Sequence, residues 1–252
     1  MAQINKSYMG KGTIYVKEKG QSLTGAISLG NCSQLDLAFN ENKLEQKDYQ
    51  DAGGATINTV ANVESVVATV TALSLHPDNV KLALRGVLAV NASGAVTDEP
   101  AVAYPDGYIA FNSLYDKSVP PVVTDQTGST TYVEGRDYEL KNAGILILSD
   151  SGATLTTPNT AIKLSYTKAE STTIEGLMEA TKDYEVYFDG LNEAESGKAV
   201  SIVMHKVKFN YTQALAIISD DFGSLPMTFD ILKDDSITSA SKSKFLKISQ
   251  ID

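Results

Sequence analysis

Acid–base, nucleophilic and metal chemistry each require particular side chains, and this 252-residue chain offers few of them. It has two histidines, His76 and His205, and one cysteine, Cys32. Two histidines and one cysteine cannot assemble a cysteine-rich zinc site, and no His-x-x-x-His or Cys-x-x-Cys pair occurs. A Ser-His-Asp triad needs only one histidine, yet no Gly-x-Ser-x-Gly elbow marks a nucleophile. Gly10-Lys11-Gly12-Thr13 fails as a phosphate loop: Asn5 stands where the first glycine is needed, and Gly12 stands where Ser or Thr must follow the lysine. The acidic pairs Asp220-Asp221 and Asp234-Asp235 miss the calcium-loop spacing and read as solvated strand ends. Cys32 reads as a small buried or half-buried residue, and both histidines as structural. No catalytic, cofactor-binding or metal-ligating residue is therefore expected, and the chain does not read as an enzyme.

Composition narrows the classes further. Asp and Glu number 31 against 21 Lys and Arg, a formal charge of −10. That balance argues against holding DNA, RNA or an anionic membrane through a generic basic surface. Twelve tyrosines could stack on bases, but no basic residues interleave with them. No run of 18 apolar residues exists to span a membrane as a helix. The opening residues lack an apolar core, so no secretory signal is expected. A lone cysteine allows no intrachain disulfide, which fits assembly in a reducing cytoplasm.

The elements that must position any functional surface are short strands. Thr13–Lys17, Ala26–Leu29, Leu35–Phe39 and Val63–Thr71 are β-branched, aromatic or alternating. Leu35, Leu37 and Phe39 alternate with Asp36, Ala38 and Asn40, so one face of that strand is expected to be buried. Asn40 to Thr59 reads as an over-long connection, and connections of that length are usually functional or disordered. It fits a loose hairpin tip or an arm that orders against a partner, and Leu44 and Tyr49 among polar residues favour the arm. Pro77-Asp78 opens a short helix that Arg85-Gly86 closes. A second short helix is possible over Thr173–Ala180, weakened by Gly176. Residues 98–168 hold five of the seven prolines and several alternating runs, including Thr131–Val133 and Ile145–Leu148, and read as an inserted β module. The flanking strand pattern resumes at Tyr184–Phe188, Val200–Phe209, Ala214–Ile218 and Met227–Leu232.

Several segments resemble the major tail (tail tube) protein of long-tailed bacteriophages. They are Met9–Tyr15, Leu35-Asp36-Leu37 through Lys43–Tyr49 to Gly53-Gly54, Asn79–Gly86, Tyr187–Asn192, His205–Phe209, Asp220-Asp221-Phe222 and Ile231–Asp234. The stretch Tyr132–Tyr138 with Ala143-Gly144-Ile145 is similar to a β module often inserted in phage tail subunits. The resemblance covers most of the chain and is one of pattern and order.

It implies a mainly β fold: a β-sandwich or barrel tail-tube core with one or two short helices, in two parts, 1–97 and 169–252, with module 98–168 between them. Rings, six subunits each in the family, would stack into a tube whose strands join edge to edge into an inner barrel. The partners implied are other copies of the chain and the tape-measure, terminator and distal tail proteins, with transient passage of double-stranded DNA and no membrane or cofactor. The implied place is the virion tail, assembled in the bacterial host cytoplasm. Leu44, Asp48 and Tyr49 are the expected subunit-interface residues. More acidic than basic side chains are expected to face a channel through which DNA slides. Other readings are a tail-end adaptor and, disfavoured by the absence of Trp, an adhesive or carbohydrate-binding β module.

Overall fold

A computed structural model describes residues 6–20, 25–50, 52–150 and 153–251; it is mainly β with one α-helix. The first strands are β1 (Gly10–Glu18), β2 (Ile27–Ser28), β3 (Cys32–Lys47) and β4 (Thr56–Ala72), followed by helix α1 (Pro77–Leu84) and β5 (Val87–Asn91). The middle of the chain supplies β6 (Gly94–Ala103), β7 (Tyr108–Ala110), β8 (Val122–Asp125), β9 (Tyr138–Lys141), β10 (Gly144–Ile147) and β11 (Thr160–Lys168). The last strands are β12 (Ser171–Glu175), β13 (Tyr184–Asn192), β14 (Lys198–Phe209), β15 (Leu225–Ile231) and β16 (Leu246–Gln250).

Two compact units form, one from Met1–Leu88 with Ile174–Asp252 and one from Ala89–Thr173. The middle unit extends beyond 98–168 because β6 pairs with β11 from Thr160↔Ala103 to Lys168↔Gly94. Strand pairing rather than proline content sets its edges. β5 and β12, which carry the chain out and back, pair with each other, and Asn91 Nδ2 donates to Thr173 Oγ1 at 2.7 Å.

The first unit is an antiparallel sheet in the order β2-β1-β13-β14-β15-β4-β3, with β16 also on β14. β14 meets β13 along one edge; along the other it meets β16 at Val200–Met204 and β15 at Val207–Phe209. The core is made of the buried residues of these strands: Ile14 and Val16, Val66, Ala68 and Val70, Val186, Met204, Val207, Met227 and Phe229. Gly12 and Gly190 face each other across β1 and β13, and the Phe188 ring lies over both. A Cβ at Gly190 would strike that ring and approach the Lys11 carbonyl oxygen at 2.8 Å, so both positions need the missing side chain.

Helix α1 forms where expected, but its ends are built differently. His76 caps it, with Nδ1 accepting from the Asp78 N–H at 3.4 Å. Arg85, not Gly86, takes the left-handed conformation, at φ 46°. Its guanidinium donates twice to the Phe209 carbonyl and sits 4.2 Å from the centre of the Tyr211 ring. No second helix forms over Thr173–Ala180: β12 occupies its start, Leu177 has φ 63°, and the Leu177 and Glu179 N–H groups donate to Leu84 and Arg85 carbonyls. Ala214–Ile218 is not a strand either. It lies in the 210–224 connection, where Thr212 Oγ1 bonds the Ala214 and Pro226 carbonyls and no neighbouring strand is offered.

The middle unit has two three-stranded sheets, β7-β10-β9 and β6-β11-β8, around Phe111, Tyr115, Val123, Tyr138, Ile145, Ile162, Leu164 and Tyr166. Thr131–Val133 is not a strand but leads into a turn organised by Asp137, whose side chain is wholly buried. That carboxylate accepts from the Val133 and Thr154 N–H groups, the Thr154 hydroxyl and the Arg136 guanidinium. Burial alone would push its pKa up; these donors overcome that and hold it far below the usual carboxylate range.

Candidate subunit interface

The expected connection over Asn40–Thr59 is instead two-stranded sheet. β3 and β4 pair from Cys32↔Ala72 to Lys47↔Thr56, so only residues 48–55 form the turn, of which Asp51 lies outside the described residues. The polar composition of Asn40–Lys47 hid the strand, because a ribbon exposed on both faces needs no apolar alternation. From Glu41↔Val63 outward, every described residue of both strands is exposed. Seven rungs at about 3.3 Å per residue make a ribbon roughly 20 Å long. It diverges from the core at Glu64, where the pairing slips by one residue between Asn40↔Ser65 and Glu41↔Val63.

Strand alternation gives the ribbon two unlike faces. Asn42, Leu44 and Gln46 oppose Asn62, Val60 and Asn58, an uncharged face with Leu44 63% and Val60 51% exposed. The other face carries Glu41, Lys43, Glu45 and Lys47 on β3 and Ala61 and Val63 on β4. Lys47 Nζ lies 2.8 Å from a Glu45 carboxylate oxygen and holds that carboxyl below its usual range.

The three expected interface residues do not share one surface. Leu44 is on the uncharged face and Tyr49, 89% exposed, is in the turn. Asp48 organises that turn: its N–H donates to the Ala55 carbonyl at 2.7 Å and its Oδ1 accepts from Gln50 N–H at 2.8 Å. Val60, Ile57 and Val63 complete the exposed apolar set. The β-branched run Thr56–Val60 was their signal in the sequence. β3 also ends the strand order, so the ribbon presents an unpaired edge.

The chemistry-bearing residues are dispersed. Cys32 is half-buried and burial raises its thiol pKa. Asp220 and Asp221 are exposed in the 210–224 connection. Asp234 corrects the expectation of a solvated strand end, for it is buried against Lys19 Nζ at 2.5 Å. Burial pushes its carboxyl up, but Lys19 and Ser236 bring it down to about 2. Among the described residues no group of three His, Cys, Asp or Glu is placed to hold a metal, and no helix is long and apolar enough to cross a membrane.

Residues 7–249 match the family described as protein of unknown function UCP028589, and the chain belongs to that family. No curated protein matches the chain.

Proposed function

We propose that this chain is a structural subunit that polymerises with copies of itself, as a phage tail-tube protein does. The observation that carries the reading is the β3–β4 ribbon. A two-stranded ribbon exposed on both faces is marginal in water, and apolar residues such as Leu44, Val60 and Val63 gain little by standing in solvent. A neighbouring copy that covers the ribbon and extends the β3 edge removes both costs. In a closed ring every subunit would use the same pair of surfaces, which is how edge-to-edge strands build a barrel. The sequence resemblance supplies the tube, the stacked rings and the passage of DNA through them.

The test is electron microscopy and sedimentation of the purified full chain. Long tubes or stacked rings are expected; one ring that never stacks would favour an adaptor at the tube end. A chain that stays monomeric in every condition would overturn the reading. In a shortened variant, an Asn-Gly turn replaces residues 42–62 and joins Glu41 to Val63, which already face each other. It should fold and fail to polymerise.

A further inference from the structure

A second pair of surfaces in the first unit complements itself in both charge and apolarity. The first member is the 210–224 connection. Leu215 and Thr212 anchor its base, through the apolar core and through the Ala83 and Pro226 carbonyls. Its apex holds Ile217, Ile218 and Phe222, which are 79%, 95% and 100% exposed, around the carboxylates of Asp220 and Asp221. The second member is a groove of about 740 Å³ lined by Ile237, Leu246 and Ile248 together with His205, Lys242 and Lys247. Five hydroxyl residues and no carboxylate complete its lining, an unusual composition in a chain of charge −10. Neither Lys242 nor Lys247 has an ion-pair partner among the described residues, whereas Lys206, Lys233 and Lys244 nearby each have one.

The two members lie at opposite ends of β15. The connection runs into Leu225, beside Ala72, and the segment that walls the groove leaves from Ile231, beside Val66. Six residue steps at about 3.3 Å separate these ends by roughly 20 Å. A surface and its complement at opposite ends of one subunit cannot satisfy each other within a chain, and join copies head to tail.

We propose that the 217–222 apex of one copy docks in the groove of the next, with Ile217, Ile218 and Phe222 against Ile237, Leu246 and Ile248, and Asp220 and Asp221 facing Lys242 and Lys247. The proposal rests on the self-assembly reading and adds to it a contact distinct from the ribbon.

The experiment uses charge reversal in the full chain. One variant carries D220K and D221K, the other K242E and K247E, and all four side chains are at exposed positions, so both should melt as the parent does. Each variant alone should need a roughly tenfold or higher concentration to associate, because like charges then face each other. An equimolar mixture should associate again, since each apex then meets a groove of opposite sign. Polymerisation of the parent unaffected by either reversal, or a mixture no better than its parts, overturns the proposal and leaves the self-assembly reading standing. A parent that never associates refutes that reading; the docking is then read by mixing D221C chains with K242C chains, both C32S, under mild oxidation. A mixed disulfide dimer supports the docking and its absence overturns it.

Discussion

Replacing Leu44 and Val60 together by threonine should weaken assembly without weakening the subunit. Threonine is β-branched and suits a strand, so the ribbon should persist. The two side chains face each other on the uncharged face and retain 63% and 51% of their exposure. Full burial of a leucine or valine side chain contributes about 1.5–3 kcal/mol, so covering what remains exposed here contributes about 2–3 kcal/mol per subunit for the pair. Translational and side-chain ordering costs are common to parent and variant and cancel in the difference. At about 1.4 kcal/mol per decade, the concentration at which polymer appears should rise roughly 30- to 140-fold. Light scattering against concentration measures it, and thermal melting of the unassembled subunit should move by less than about 0.5 kcal/mol. A rise of less than about threefold would refute burial of this face.

Asp137→Ala should destabilise the middle unit by about 3 kcal/mol, because it strands the donors of Val133, Arg136 and Thr154; urea unfolding followed by near-ultraviolet tyrosine circular dichroism reads it. Gly190→Ala should cost about 1–3 kcal/mol in thermal melting, since the new methyl group displaces the Phe188 ring, and an unchanged melt would show the ring free to move. Asp234 ionises near about 2 when folded against about 3.9 when unfolded. Its contribution is therefore complete above pH 4 and is lost as pH falls towards 2. Lys19→Met should be less stable than the parent at pH 7, with the difference shrinking through that window; a constant difference would show that the pair is not its source. Excising residues 92–172 and joining Asn91 to Thr173 through a Gly/Ser linker should leave a folded first unit, because those two side chains already bond at 2.7 Å. Loss of its cooperative melt would refute independent folding.

Much of the fold was legible because it rests on local alternation. β1, β13 and β15 bury alternate residues, Ile14 and Val16, Val186 and Phe188, and Met227, Phe229 and Ile231. β4 buries one face, Val66, Ala68 and Val70, although apolar residues on both its faces suggest cover on both sides. Helix α1 was legible from Pro77 and Asp78 at its start. The outer halves of β3 and β4 were not. Asn42, Gln46, Asn58 and Asn62 pair as strand although nothing covers them, and a polar strand has no apolar period to read. Leu44 and Tyr49 were noticed as apolar residues in polar surroundings, but Val60, on the partner strand, becomes Leu44's neighbour only through the pairing. In the opposite direction, Ala214–Ile218 had strand composition but forms no strand, and Thr131–Val133 meets β8 only through the Thr124↔Thr131 bridge and the Tyr132 N–H to the Val123 carbonyl before Asp137 takes the Val133 N–H, so propensity yielded to tertiary context.

The sequence by itself determined that the chain is mainly β and acidic, with two histidines and one cysteine. These are properties of composition and short-range spacing, which no arrangement of the strands can alter. The tertiary structure decided which exposed residues act together. Leu44 meets Val60 because β3 and β4 pair with Leu44↔Val60 in register. Lys242 and Lys247 line one groove with His205 because β16 adds to β14 beside it. The Asp220-Asp221 apex stands at the other end of β15 because the connection that carries it enters that strand at Leu225 while the groove segment leaves it at Ile231. Each juxtaposition depends on long-range hydrogen-bond register, and a shift of one residue would reverse every face involved.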